Sequence, residues 1–178
     1  MTVDWDGLID AHSNRAYSFA LALCGNEEDA KELVQEAFAK AMDRFDTHDA
    51  SLPFEAWFLT ILKRIYLDGK KRHERRYGQS LDVPVDASGL TVAESMADDR
   101  EISVLERLEK EERTKLVRRA MRVLTPDARA ILLMIDLEGL SYEDAARTLD
   151  CPLNTVRSRI VRARIALRER LTALEETL

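Results

Sequence analysis

Between Arg157 and Arg170 the chain carries six arginines against one acid, Glu169. Guanidinium groups at that density neutralise phosphates and release their counterions, and each can also present a two-pronged fork to the edge of guanine. Helical spacing sorts them. Val156, Ile160, Ala163 and Leu167 fall on one narrow apolar stripe, while Asn154, Arg157, Ser158, Val161, Arg162 and Ile165 fall on the side turned away from it. On that outer side Arg157 and Arg162 can read guanine, Ser158 is an adaptable donor and acceptor, and Val161 can touch a thymine methyl. Arg159 lies at the margin of the stripe and is assigned to phosphate contact or local ion pairing. A second basic run, Lys63 to Arg76, holds seven Lys or Arg against Asp68 and Glu74, again on an expected helix. It suits a sugar-phosphate backbone.

The residue types that carry covalent chemistry are not grouped in this way. No glycine-rich phosphate loop, nucleophile motif or clustered carboxylate pair occurs, so an enzyme is not expected. Cys24 and Cys151 stand far apart, and His12, His48 and His73 are scattered, so the spacing offers no metal site. Both cysteines read as small buried or half-buried thiols, and no cofactor is expected.

The elements that must carry the basic faces are legible from caps and stripes. A first helix is expected from Asp6 to Cys24, ended by Gly25, and a second from Asn26, whose side chain can cap it with Asp29 three residues on. Ala30, Leu33, Val34, Ala37, Phe38, Ala41, Met42 and Phe45 give the second helix an apolar stripe, opposite Lys31, Glu32, Gln35, Glu36, Lys40 and Asp43. After a loop from Asp46 to Leu52, Pro53 suits the first turn of a third helix with Phe54, Trp57, Phe58, Ile61, Leu62 and Ile65 inward. Those aromatics are read as core, not as stacking platforms. Residues 77 to 99 lose periodicity and gain Gly, Pro, Ser and Asp, as linkers do. A charged helix follows from Arg100 to Val123. Thr125-Pro126 and Ser141-Tyr142-Glu143-Asp144 then start two short helices, Leu149 to Pro152 breaks the chain, and a last helix runs from Leu153 or Asn154 to Leu174. Two helices joined by a short turn, small-residue-rich then arginine-rich, have the layout of a helix-turn-helix.

With 178 residues, 46% hydrophobic and 34% charged, and with only 6 Gly and 4 Pro, the chain suits an all-α fold of one or two small domains. No run approaches the ~20 apolar residues of a membrane span, no leader is visible at the start, and a cytoplasmic setting is expected. The net charge of −6 conceals blocks of alternating sign: −7 over residues 1–50, +4 over 51–81, −7 over 82–112 and +4 over 113–178.

Read together, the two halves resemble a bacterial RNA polymerase sigma factor of the extracytoplasmic-function (ECF) group of the sigma-70 family. In the first half, Asp29-Ala30-Lys31-Glu32-Leu33-Val34-Gln35-Glu36-Ala37-Phe38 is similar to the family's polymerase-binding helix, and Phe54 to Leu59 through Asp68 and Lys70-Lys71-Arg72 to its promoter-melting helix. In the second half, Leu124-Thr125-Pro126, Glu138 to Ala146, Thr155-Val156-Arg157-Ser158-Arg159 and Arg162-Ala163-Arg164 resemble its second DNA-binding domain. The chain departs from the family in having Lys63-Arg64 where an asparagine commonly follows a basic residue, and Asn154 where glycine often precedes the threonine.

The resemblance implies a sigma-two-like domain over 1–76, a flexible acidic linker over 77–99 and a sigma-four-like helix-turn-helix domain over 100–178. It implies that Asp29, Glu32, Gln35 and Glu36 dock on the clamp coiled coil of the polymerase large subunit. Lys63, Arg64, Lys70, Lys71 and Arg72 would track the melted minus-ten element, with a flipped base against the loop Asp46 to Leu52. Thr155, Arg157, Ser158, Arg159, Val161 and Arg162 would meet the minus-thirty-five element. Promoter DNA, core RNA polymerase and an anti-sigma factor are the implied partners. The competing reading is a sigma-like mimic that sequesters an anti-sigma factor without reading promoters, against which the retention of both basic patches argues.

Overall fold

The computed structural model describes residues 3–77 and 104–176, and within them every regular element is helical. The first half forms α1 (Trp5–Cys24), α2 (Glu27–Asp43) and α3 (Phe54–Tyr77), with a short 3-10 turn, Phe45–Thr47, in the loop before α3. The second half forms α4 (Val104–Val123), α5 (Pro126–Leu132), a π-helical turn (Leu133–Leu137), α6 (Tyr142–Thr148) and α7 (Leu153–Glu175). Beyond Tyr77, the stretch expected as a linker lies outside the described residues, as does the expected start of the charged helix at Arg100.

Local chemistry sets the boundaries. Asp4 caps α1 by accepting from the Gly7 amide, and Gly25, at φ 81°, adopts the left-handed conformation that ends it. Asn26 then caps α2, accepting from the Asp29 amide at 2.8 Å while its own amide group donates to the Asp29 carboxylate at 2.6 Å. Thr125 caps α5 with Pro126 in the first turn, and Ser141 caps α6. Asp144, in the Glu position of that box, accepts from the Ser141 hydroxyl, so the box closes side chain to side chain. Pro53 sits just ahead of α3, one position earlier than expected.

The first half packs as a three-helix bundle around Phe19, Leu23, Leu33, Phe38, Phe58 and Leu62, with Phe38 and Phe58 rings 4.4 Å apart. Most of the expected stripes are inward, but Met42 is 42% exposed although Ala41 beside it is fully buried. Phe58 is fully buried, and Phe54 and Trp57 are half-buried against the same core. The second half encloses its own core of Leu124, Ile131, Leu132, Ile135, Ala145, Val156, Ile160 and Ala163.

The two cores meet at α5. Ala130 to Ile135 are six consecutive buried residues. Ile131, Leu132 and Ile135 face the second core, whereas Ala130, Leu133 and Met134 join the first. A helix apolar all round must be covered on both sides, and here each side is covered by a different half of the chain. The π turn follows directly: the Glu138 amide donates to the Leu133 carbonyl at 2.9 Å, and Gly139, at φ 70°, ends the segment.

Candidate nucleic-acid and polymerase interfaces

The helix-turn-helix consists of α6, a tight turn and α7. At the end of α6 the Cys151 amide donates to the Ala146 carbonyl (3.1 Å) and the Asp150 amide to the Arg147 carbonyl (3.3 Å), with Asp150 left-handed at φ 49°. This is the Schellman pattern, with Asp taking the position usually held by glycine. Pro152 then opens α7, its carbonyl accepting from the Thr155 and Val156 amides. Small residues make the crossing of the two helices close: Ala145 has no exposed surface, and neither do Val156 and Ile160 opposite it.

On α7 the two faces divide as their spacing predicts. Val156, Ile160 and Ala163 are buried and Leu167 is half-buried against the same core. Asn154, Arg157, Ser158, Val161, Arg162 and Ile165 are exposed, and Thr155 and Arg159 lie half-buried at the edge. Two of the exposed polar groups rest on the helix itself. The Ser158 hydroxyl donates to the Thr155 carbonyl at 3.0 Å, and Arg162 Nε donates to the Ser158 carbonyl at 3.2 Å. Both must swing outward to meet a base, which costs little at an exposed site. Arg164 is committed elsewhere: it grips Asp136 through two hydrogen bonds, tying α7 to the π turn, and these contacts raise its already high pKa further.

The acidic candidates on α2 form an exposed face opposite the buried stripe: Asp29, Glu32, Gln35 and Glu36 are all exposed. Asp29 also braces the Asn26 cap, and Glu36 pairs with Lys40 one turn on at 2.7 Å.

The five basic candidates on α3 fall on two sides. Arg64, Lys71 and Arg72 are exposed, and helical spacing aligns Arg75 with them. Lys63 is 6% exposed and its ammonium pairs with Asp127 of α5 at 2.9 Å. Lys70, seven residues on, is half-buried with its ammonium 6.0 Å from the centre of the Tyr66 ring.

Under the loop before α3 lies an aromatic cluster that sequence spacing did not reveal. His48 stands 5.1 Å from Trp57, 5.5 Å from Phe45 and 6.0 Å from Phe54 between ring centroids, and its Nε2 is buried without a hydrogen-bond partner. His12 also packs on Phe54, at 5.0 Å. Two histidines that look scattered thus share one aromatic neighbour. Above the cluster, Asp49 accepts from the Ser51 amide, and that bond holds its carboxyl below the usual range, helped by the charges of Arg147 and His48. Arg147 belongs to α6.

Two further residues outside every motif, Arg129 and Arg15, turn out to be central. Arg129 of α5, 7% exposed, donates to the Met121 (2.9 Å), Arg122 (2.7 Å) and Leu124 (3.4 Å) carbonyls at the end of α4, and across to the Leu23 carbonyl (2.8 Å) and the Tyr66 hydroxyl (3.1 Å). Its charge sits at the negative ends of two helices, α1 and α4. Arg15 of α1 donates to the Glu138 carboxylate (2.5 Å) and carbonyl (2.6 Å) and pairs with Glu55 at 2.7 Å. Burial pushes the Glu138 carboxyl above its ordinary value, against the pull of Arg15. Among the described residues no cluster of His, Cys, Asp and Glu could hold a metal ion, and no helix is long and apolar enough to cross a membrane. Cys24 and Cys151 are both free and half-buried, and burial pushes the Cys24 thiol up to about 12.

A helical bundle bearing an acidic outer face, followed by a helix-turn-helix with an arginine-rich outer face, is the layout of a sigma-70-type transcription factor, and comparison with known proteins agrees. Residues 8–76 match the Sigma-70 region 2 family and residues 114–167 match Sigma-70, region 4. The chain is 34% identical over 167 residues to the ECF RNA polymerase sigma factor SigE of Mycolicibacterium smegmatis, a match covering 94% of this chain and 61% of that one. It is thus under two thirds of that relative's length. It is 37% identical over 150 residues to the ECF RNA polymerase sigma-E factor of Escherichia coli, covering 82% of this chain and 75% of that relative. Among solved structures, the co-crystal structure of the sigma factor RpoE with the anti-sigma factor NepR from Bartonella quintana superposes with a TM-score of 0.69 at 25% identity, over 95% of this chain and 97% of that one. The chain belongs to the ECF sigma factors of bacterial RNA polymerase.

Proposed function

We propose that this chain docks on core RNA polymerase through the exposed acidic face of α2 and directs it to promoters by touching DNA at two places, in the cytoplasm and without catalysing a reaction itself. Asp29, Glu32, Gln35 and Glu36 meet the clamp coiled coil of the large subunit. Arg64, Lys71 and Arg72, with Lys63 and Lys70 once accessible, hold the backbone of the separated minus-ten element, whose flipped base lies against the loop 46–52. Single strands are held by basic grooves of this kind. Arg157, Ser158, Val161 and Arg162 read the minus-thirty-five element in the major groove, with Thr155 and Arg159 at its flanking phosphates. The division of labour places region 2 at 1–76, a linker at 77–99 and region 4 at 100–178. An anti-sigma factor is a further partner of this chain, as NepR is of the Bartonella quintana RpoE.

The observation that supports this most is the two-sided α7, with a fully buried seam and an outer face of Arg157, Ser158, Val161 and Arg162 that nothing covers among the described residues. A mimic that only captured an anti-sigma factor would have no use for that outer face. The test is transcription from genomic DNA by core polymerase reconstituted with this chain, with the start sites sequenced. Start sites that share two spaced upstream elements support the reading, and no product above core enzyme alone refutes it.

A further inference from the structure

The bond that holds Arg164 carries an inference of its own. Asp136 takes this guanidinium side-on, accepting from Nε at 3.1 Å and from Nη2 at 2.5 Å, the two-pronged geometry in which an arginine otherwise meets a phosphate. Arg164 also bonds the Tyr142 side chain at the start of α6. We propose that Asp136 limits the sequence-independent DNA affinity of the chain: it occupies Arg164 in place of a backbone phosphate, so that α7 meets the duplex with one cation fewer than its sequence provides. This rests on the minus-thirty-five reading of α7 given above.

Three observations support it. Arg157, Arg164 and Arg168 recur at intervals of seven and four residues, which aligns them along one edge of α7. Arg157 and Arg168 are exposed there, and among the described residues neither is paired with a carboxylate, whereas Arg164 is. The pair is also open to water, its side chains 44% and 41% exposed. An ion pair in such a place contributes little to stability, and Val156, Ile160 and Ala163 already seat α7 in the second core. Finally, Asp136 belongs to the π turn and not to α7. A carboxylate, not burial, is what withholds Arg164, and removing that one charge releases it.

The consequence concerns affinity and not discrimination. Phosphate contacts strengthen binding to every sequence alike, and base contacts are what tell one sequence from another. Arg164 released from Asp136 would strengthen binding to promoter and to unrelated duplexes by the same factor. The chain would dwell longer on DNA that lacks its element, while the choice made by Arg157, Ser158, Val161 and Arg162 stayed as it was.

Salt dependence reads this directly, because each phosphate neutralised adds about 0.9 to the slope of log affinity against log salt. Core polymerase reconstituted with the full chain is titrated, between about 50 and 200 mM salt, onto a promoter duplex from the start-site experiment and onto the same duplex with its upstream element scrambled. Asp136→Ala should bind both duplexes severalfold more tightly at the low end, and each slope should steepen by about 0.9, so that about 3.5-fold of the gain is lost at the high end. Asp136→Asn, which keeps the side-chain shape, should do the same. Arg164→Ala should leave both slopes unchanged, and Asp136→Ala added to Arg164→Ala should gain nothing. Both positions are exposed, so the helical circular dichroism of each variant should match that of the natural chain. Slopes flattened in Arg164→Ala would mean that Arg164 already holds a phosphate. A gain from Asp136→Ala that persists without Arg164 would come from the repulsion of the acid alone, and unchanged slopes in Asp136→Ala would leave Arg164 with no phosphate to meet. Each of these three results overturns the proposal. If the slopes behave as stated but scrambling the upstream element does not weaken the natural chain, the withholding of Arg164 stands and it is base reading by α7 that fails.

Discussion

Arg129→Met keeps the aliphatic stem and removes the guanidinium, which takes one donor from each of four carbonyls and from the Tyr66 hydroxyl. Hydrogen bonds from charged donors contribute about 1.5–3 kcal/mol each, and a buried acceptor left unpaired costs about 1–3 kcal/mol. The gain is offset by the several kcal/mol it costs to bury the charge itself. Carbonyls at the ends of α1 and α4 can recover water, so roughly two acceptors stay uncompensated and the expected loss is ~3 kcal/mol. For a chain of 178 residues that melts as one unit, that is a fall of about 6–12 °C in the melting midpoint. Arg129→Lys should recover under half of it, because an ammonium cannot spread over five acceptors. Both tryptophans, Trp5 and Trp57, lie in the first half. Fluorescence therefore reports that half alone, while circular dichroism reports both. In the natural chain the two signals should melt together, and in Arg129→Met the helical signal should begin to fall first. A loss under about 1 kcal/mol, or transitions that stay coincident, would refute the role given to this side chain.

Two smaller predictions follow from perturbed groups. Because burial raises the Glu138 carboxyl above 4.5 in the folded chain, its contribution to stability is complete below that value and is lost as pH rises through the raised one. The midpoint of the natural chain relative to Glu138→Gln should fall over that interval, and a difference that grows with pH would contradict the assignment. With its thiol pushed up to about 12 by burial, Cys24 should alkylate with iodoacetamide far more slowly at pH 8 than a free cysteine in unfolding concentrations of urea. Equal rates would show that the end of α1 is open to solvent.

The parts of the molecule that could be read from sequence are those decided within a turn or two of chain. The Asn26 and Ser141 caps, the Gly25 stop and the division of α7 into a seam and an outer face all depend on neighbours three or four residues apart. The contact between the halves depends on partners 63 to 123 positions apart, such as Arg129 with Tyr66 and Arg15 with Glu138. Most of the acceptors of Arg129 are backbone carbonyls, which have no residue signature at all. One trace was present: the unbroken apolar run Ala130-Ile131-Leu132-Leu133-Met134-Ile135 is too continuous for a one-sided helix and signals burial on both faces. Lys63 carried no such trace. It sits in a basic run that reads as surface, yet it is buried and paired with Asp127 of α5. The aromatic cage of His48 was hidden for the same reason, since its walls come from the loop and from α3.

The most direct test of two-point promoter recognition is Arg157→Ala with Arg162→Ala, two exposed side chains whose loss disturbs no core contact. Each well-formed base contact contributes ~1–3 kcal/mol, so binding of the reconstituted polymerase to its promoter should weaken about a hundredfold. Association of the double variant with core polymerase should be unchanged, and protection should be lost at the upstream element alone. Promoter binding and transcription at the level of the natural chain would contradict the account.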